Sequence, residues 1–409
     1  MMKILIYGLN YHPELTGIGK YTGEMAEWLA KNGHHVRVVT APPYYPKWKT
    51  GKGFCPFCYR IETLNGVKVF RCPLYIPGKP NGLTRILHLL SFSLSSLLII
   101  IYQYAWRPHV VINVIPSIFS AFTTLLGAAL FNAKTWLHIQ DFELDAAFKL
   151  GILRERRFKK TAGYVERIIF KKFDRVSTIS LSMLRKLYRK GIEESATLLL
   201  PNWVDTNQIF PLTGRNSLRD ALGFGRKHIV ALYAGNMGNK QGLEVIIDAA
   251  RITERKKHIR FVLCGEGPAK SKLEVLSSGL TNVCFIRLQP LQKLNRLLNL
   301  ADIHLLPQKP EAADLVMPSK LTGIFASGKP VIAIADPGTE MVRVVNGRGI
   351  IVKTGDIQGF ANAIVALADR PDEREKIGRT GRSYAAEQLD KNRILTQFET
   401  TLNDFVRTQ

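Results

Sequence analysis

The chain has 409 residues, 46% of them hydrophobic, and a formal charge of +24. That length exceeds one ordinary core and suits two domains of roughly 200 residues each. It carries no low-complexity tract and no repeat at solenoid periods, and five cysteines do not suit a secreted disulfide framework.

The opening Met1-Met2-Lys3-Ile4-Leu5-Ile6 reads as a buried strand without the length or cleavage site of a signal peptide, so a cytoplasmic protein is expected. A glycine-bearing loop follows, then a helix from about Tyr21 to Asn32 that ends at Gly33. Further strands are expected to begin near Val36, Val67, Val110, Thr135, Arg175 and Thr197. Between Val36 and Val67 lies Cys55-Pro56-Phe57-Cys58, which has the spacing of half a redox or metal site. With no second pair, it is read as two ordinary thiols in a loop.

Two long stretches lack charge: the 21 residues from Ile86 to Trp106 and the 26 residues of 108–133. Either is long enough to span a bilayer. The first holds four serines and a histidine, and the second holds Pro108 and Pro116 and divides into a strand, a turn and a helix. The expectation is therefore an interface-bound helix near 83–105. Positive charge concentrates in the same half: 1–203 carries +16 and the remainder +8, and 154–190 holds 13 basic and 3 acidic residues. Such a patch attracts phosphates, on nucleic acid or on an anionic leaflet. The neighbouring apolar runs favour the leaflet, with no nucleic acid as partner.

Proline and asparagine interrupt the pattern at Pro201-Asn202-Trp203-Val204-Asp205. A second series of strands follows at His228–Ala234, Arg260–Leu263, Val283–Phe285, Ile303–Leu306, Val331–Ala333 and Gly349–Val352. Helices are expected over 242–256, 268–278, 291–300, 318–327 and 357–369. Strands alternating with helices make an α/β protein of two doubly wound domains, whose ligands sit at the carboxyl ends of strands. The expected division is 1–203, 204–388, and a helical segment in 389–409 that packs back on the first domain.

Glycine-rich turns follow strands in both halves. In the first, Gly17-Ile18-Gly19 precedes a helix, with the intervening Tyr11-His12-Pro13-Glu14 excluding a tight dinucleotide fingerprint. In the second, Gly235-Asn236-Met237-Gly238-Asn239-Lys240-Gln241-Gly242 can set a cation and free amides against a pyrophosphate, as can Cys264-Gly265-Glu266-Gly267 on the next strand. Later come Pro318-Ser319-Lys320-Leu321-Thr322, Gly328-Lys329-Pro330 and Pro337-Gly338-Thr339-Glu340.

Taken in order, these motifs resemble the retaining glycosyltransferases of family 4, over essentially the whole chain. Pro13–Tyr21, Ala41-Pro42-Pro43-Tyr44-Tyr45-Pro46 and His138-Ile139-Gln140-Asp141 carry the likeness in the first half. Gly235-Asn236, Lys240–Glu244 and Pro318–Thr322 carry it in the second. The resemblance implies the GT-B fold, two Rossmann-like domains facing a central cleft. It implies a donor site for a nucleotide-diphosphate sugar at Gly17, Gly19, Asn236, Lys240, Gln241, Gly265, Gly267, Ser319, Lys320, Leu321 and Glu340, and acceptor contacts at Tyr11 and Thr16. His138 is expected to orient the sugar or shuttle a proton, with Asp141 and Asp314 as further catalytic candidates.

Many family members carry two glutamates eight residues apart where this chain has Leu315 and Gly323; Glu311 and Asp314 stand nearby as substitutes. The donor base, GDP or UDP, stays open, with fucose among the sugars. The implied acceptor is a lipid-linked glycan in exopolysaccharide assembly of the colanic-acid type, on the inner face of the cytoplasmic membrane. No metal or other cofactor is expected, since protein cations can neutralise the diphosphate. A basic membrane- or nucleic-acid-binding module without catalysis is the alternative, and it leaves the glycine loops of both halves unexplained.

Overall fold

The run Val110-Val111-Ile112-Asn113-Val114-Ile115 is buried along its whole length. A strand covered on both faces needs such a run, because alternation would bring polar side chains into one of the two cores. The computed structural model describes residues 1–14, 17–78, 81–115, 118–142, 156–214, 216–238, 241–309 and 319–407, without the side chains of 156–160. The chain divides into two compact units, one of 1–201 with 395–409 and one of 202–394.

The first unit contains strands β1 (Lys3–Gly8), β2 (His35–Thr40), β3 (Arg60–Leu64), β4 (Val67–Arg71), β5 (Val110–Ile115), β6 (Lys134–Ile139), β7 (Arg175–Thr178) and β8 (Thr197–Leu199). They form one sheet in the order β3-β4-β2-β1-β5-β6-β7-β8. Every neighbouring pair is parallel except β3 with β4. That antiparallel hairpin is missing from the sequence reading. Its turn is Asn65-Gly66, both left-handed (φ 49° and 82°), as a tight two-residue hairpin turn requires.

The principal helices of this unit are α1 (Ile18–Lys31), α2 (Gly82–Tyr102), α3 (Ile118–Phe131), α4 (Arg156–Phe170) and α5 (Leu181–Arg189). Helix α2 packs on the sheet through Phe92, whose ring stacks on Tyr7 at 5.4 Å, and through Ser96, 2.6 Å from the Tyr7 hydroxyl. Ile100 of α2 lies where a side chain on Gly127 of α3 would sit, so the two helices touch closely. Among the described residues α2 is the one helix long and apolar enough to cross a membrane. Its inner face is nonetheless part of this α/β core.

In the second unit all neighbouring strands are parallel, in the order β11-β10-β9-β12-β13-β14. They are β9 (Ile229–Ala234), β10 (Ile259–Cys264), β11 (Val283–Ile286), β12 (Ile303–Leu306), β13 (Val331–Ile334) and β14 (Ile350–Val352). The helices around them include α6 (Glu244–Ile252), α7 (Lys270–Leu276), α8 (Lys320–Ala326), α9 (Glu340–Val345), α10 (Ile357–Asp369) and α11 (Pro371–Gln388).

The last helix, α12 (Lys391–Arg407), returns to the first unit from Leu395 onward. There Phe398 and Phe405 meet the fully buried Trp136 edge-on at 5.2 and 5.6 Å. Glu399 accepts hydrogen bonds from Trp28 Nε1 at 3.0 Å and Asn32 Nδ2 at 2.6 Å, and its other oxygen lies 3.1 Å from His34 Nε2. Cys55 and Cys58 are joined in a disulfide, not two free thiols, with their Cα atoms 5.5 Å apart. The Pro56-Phe57 turn brings them within bridging reach.

Candidate active site

In the first unit the chemistry-bearing residues collect where β1, β2 and β6 end. Gly17 caps the N-terminus of α1 with no side-chain partner for the exposed amides. Gly19, two residues on, is required by packing: a Cβ there would lie 2.7 Å from Glu14 Cβ. Glu14 is the residue that sequence reasoning missed. Its buried carboxylate accepts from the amides of Tyr44 and Tyr45, each at 3.0 Å, and from Asn10 Nδ2 at 2.8 Å. Burial raises its pKa, against these hydrogen bonds. Glu14 thus ties the loop after β1 to the loop after β2.

Tyr11 is buried, and its hydroxyl has no partner among the described residues. Burial pushes that phenol up. Tyr45, partly exposed, is likewise raised by burial and then by the charges of Glu14 and Asp141, which puts Asp141 on the same edge.

His138 does not fit the proton-shuttle role. It lies inside β6, is 3% exposed, and both ring nitrogens are occupied: Nδ1 by Ser177 Oγ and Nε2 by Gln140 Nε2, each at 2.9 Å. Burial pulls its pKa down to about 4. A neutral imidazole accepting from Gln140 holds that carboxamide at the strand end, so its chemistry here is positioning. Replacing it with phenylalanine takes away the partner of Gln140 Nε2, while Ser177 Oγ keeps its bond from Trp136 Nε1 at 2.8 Å; the cost of about 1–3 kcal/mol is read as a lower melting temperature. The rate profile of the native protein between pH 5.5 and 7.5 should carry no limb that this substitution removes.

In the second unit the ends of β9 and β10 are stitched together. Gly235 N donates to Cys264 O at 2.8 Å, Met237 N to Glu266 O at 2.8 Å, and Ala269 N to Met237 O at 2.9 Å. A Cβ on Gly265 would sit 1.9 Å from Gly235 O, and one on Gly267 2.7 Å from Asn236 Oδ1. Gly235 in turn leaves room for Lys320, whose Cε lies 2.3 Å from where a Cβ would be. From the start of α8 the Lys320 amine donates to the Tyr233 hydroxyl at 2.5 Å, 4.2 Å from the ring centroid. Tyr233 passes the bond on to Asn236 O at 2.6 Å. Among the described residues no carboxylate takes part, and burial pulls the Lys320 amine down to about 7. Asn236, Gly265, Gly267 and Lys320 are thus brought together, and Gln241 places its carboxamide oxygen against Gly238.

Two expected side-chain contacts are engaged elsewhere. Leu321 is 1% exposed and packs in the core with Phe325, so its side chain offers a ligand nothing. Glu340, at the start of α9, is ion-paired with Arg343 at 2.5 Å. Ser319 makes no side-chain cap on α8. Gly323 faces Leu298, with no polar group within 4 Å of its Cβ position among the described residues. Thr16, Lys240, Asp314, Glu311 and Leu315 lie outside the described residues. Among the described residues no three His, Cys, Asp or Glu side chains are grouped to hold a metal ion.

A glycosyl transferase 4-like domain model matches residues 16–203, and a glycosyl transferases group 1 model matches 214–384. The chain is 40% identical over 407 residues to WcaI of Escherichia coli (strain K12), named as a colanic acid biosynthesis glycosyl transferase, covering 97% of this chain and 98% of that one. The chain is a glycosyltransferase of this family. The transferase is also 20% identical to N-acetyl-alpha-D-glucosaminyl L-malate synthase of Bacillus anthracis, over 99% and 98% of the two chains. Among solved structures, sucrose-phosphate synthase from Thermosynechococcus elongatus superposes with a TM-score of 0.77 at 18% identity, covering 100% of both chains. Anabaena Alr3699/HepE in complex with UDP-glucose gives 0.72 at 16% identity, covering 99% of the transferase and 100% of that chain. The transferase has the GT-B fold, two α/β domains built on parallel sheets.

Proposed function

We propose that this transferase moves a sugar, with retention of anomeric configuration, from a UDP- or GDP-linked donor to a lipid-linked glycan at an anionic membrane surface. The product belongs to exopolysaccharide assembly of the colanic-acid type. The observation that carries the donor half is the cation-and-glycine pocket formed by Gly235, Asn236, Gly265, Gly267 and Lys320. Breaking the anomeric bond leaves charge on the departing diphosphate, and groups already aimed at that charge lower the barrier. Lys320 and the amides of these loops supply them, and no metal is needed to neutralise the leaving group. The complex of Alr3699/HepE with UDP-glucose and the name of WcaI support the donor class and the pathway.

The membrane half rests on α2 and α3. The outward stripe of α2 is largely apolar: Leu83, Leu87, Leu94, Leu98 and Ile101 are 47–68% exposed. Phe122, Leu126 and Leu130 continue it on α3 at 43–63% exposure. Such a contiguous patch on a water-facing surface marks a docking site. Lys171 and Lys172 follow α4, beside α3, and no acidic residue lies between Glu62 and Asp141. An apolar face with basic flanks matches an anionic bilayer.

Thermal shift against UDP, GDP, NADH and a short RNA tests the donor half. Stabilisation by one nucleoside diphosphate alone is expected and names the base; stabilisation by none defeats the reading. For the membrane half, Leu98→Ser removes about 1–1.5 kcal/mol of burial. Partition onto phosphatidylglycerol vesicles should fall roughly tenfold with the nucleotide shift unchanged.

A further inference from the structure

Helix α2 has a second face. At its N-terminal end Arg85 and His88 point away from the apolar stripe, toward the loop after β2. Tyr44 meets His88 edge-on at 4.7 Å, Trp48 lies 5.1 Å from His88 and 5.5 Å from Tyr44, and the Arg85 guanidinium stands 5.4 Å above the Trp48 ring. The Glu14 carboxylate anchors this loop at Tyr44 and Tyr45. Tyr45 feels the charges of both Asp141 and Arg85, so the cluster adjoins the edge that holds the other first-unit site residues.

Three capacities in this cluster are unused. His88 is 2% exposed, and its Nδ1 donates to Tyr75 O at 2.6 Å. That fixes the tautomer and leaves Nε2 a buried acceptor with no partner among the described residues, a state that costs about 1–3 kcal/mol. Arg85 has no carboxylate within ion-pair distance among the described residues. Trp48 holds φ at 52°, a left-handed conformation that costs a tryptophan about 1 kcal/mol or more. The Trp48 and His88 rings stand 5.1 Å apart, so both face the same small volume beside α2. An unpaired guanidinium, an aromatic plate and a waiting hydroxyl acceptor together fit a phosphate followed by a sugar. The apolar stripe of the same helix fits the lipid on the other side of that phosphate.

We propose that Arg85, Trp48 and His88 form the acceptor subsite, in which Arg85 holds the phosphate next to the lipid, Trp48 packs on the first sugar, and His88 Nε2 accepts one of its hydroxyls. The assignment rests on the lipid-linked acceptor reading above and names the residues that read it.

The test uses the full chain and its Trp48 fluorescence, with Trp48→Phe as the spectral blank. Probes are phosphatidylcholine vesicles carrying polyprenyl diphosphate, the same vesicles carrying polyprenol or phosphatidylglycerol, and citronellyl diphosphate and inorganic pyrophosphate in solution. The native protein should prefer polyprenyl diphosphate over polyprenol at least tenfold. Arg85→Gln should erase that preference, and Arg85→Lys should keep part of it. Phosphatidylglycerol binding and the nucleotide thermal shift should stay within twofold in both variants. An undiminished preference in Arg85→Gln, or equal binding of polyprenol and polyprenyl diphosphate by the native protein, overturns the subsite. If no vesicle binds but citronellyl diphosphate binds more tightly than pyrophosphate and depends on Arg85, the membrane reading fails and the subsite stands. If vesicles bind but no diphosphate probe depends on Arg85, the membrane reading stands and the subsite fails.

Discussion

The affinity of the second unit for a nucleoside diphosphate should fall by up to about 100-fold between pH 7 and pH 9. Lys320 is the reason. Its amine is pulled from 10.5 to about 7 by burial, with no carboxylate beside it among the described residues. Above pH 7 the free protein is mostly neutral at this position, yet the form that holds a diphosphate is the ammonium. A diphosphate beside the amine restores its affinity for a proton, so binding takes up one proton and weakens about tenfold per pH unit. Calorimetry in two buffers of different ionisation enthalpy reads that proton directly, and Lys320→Met should flatten the dependence while lowering affinity at pH 7. A native affinity that does not change with pH would remove Lys320 from the diphosphate site. The stability of the unliganded protein moves the opposite way. The unfolded lysine binds a proton between pH 7 and 10.5 and the folded one does not, so this group's contribution to stability rises with pH across that window.

Gly265→Ala should lower stability by about 3 kcal/mol and abolish nucleotide-induced stabilisation. The added Cβ meets Gly235 O at 1.9 Å and Gly235 C at 2.9 Å. Both are backbone atoms, with no rotamer to move aside. Relief requires the two loops to part, which breaks the Gly235 to Cys264 hydrogen bond and withdraws the amides from the pocket. For a unit of this size the change corresponds to a melting temperature lower by roughly 10 °C. Gly225→Ala is the matched control, since nothing lies within 4 Å of its Cβ and its φ is ordinary; a change within about 0.5 kcal/mol is expected. Equal effects from both substitutions would mean that the close approach of β9 and β10 is not what Gly265 provides.

Much of the fold could be read from local pattern. The β-branched run of β5, the stop of α1 near Gly33 and the glycine turns after β1, β9 and β10 each depend on residues adjacent in sequence. The hairpin of β3 and β4 is equally local, since Asn65-Gly66 between alternating runs signals a tight turn, but its strand signal is faint because β3 is half-exposed and weakly apolar. The short helices α6 and α7 stop before the expected ends because propensity sets helix limits poorly where a turn competes. The site was less legible. Glu14 acts on Tyr44 and Tyr45, 30 and 31 residues away, and His138 acts on Ser177, 39 residues away. Nothing in the spelling of His138-Ile139-Gln140 says that both imidazole nitrogens are taken, since that depends on a strand registered alongside. Leu321 was named from its motif, while its helical phase directs it into the core.

Helix α12 bears on the order in which the protein can be made. Trp136 is covered by Phe398 and Phe405, and Trp28, Asn32 and His34 share the carboxylate of Glu399. A ribosome releases the whole second unit before it releases these partners. Domains fold largely as they emerge, so the first sheet must wait through the synthesis of about 190 further residues with one face incompletely covered. The first unit to be translated is therefore the last to be finished, and a chain cut short before residue 395 leaves an aromatic surface for chaperones or proteases to find.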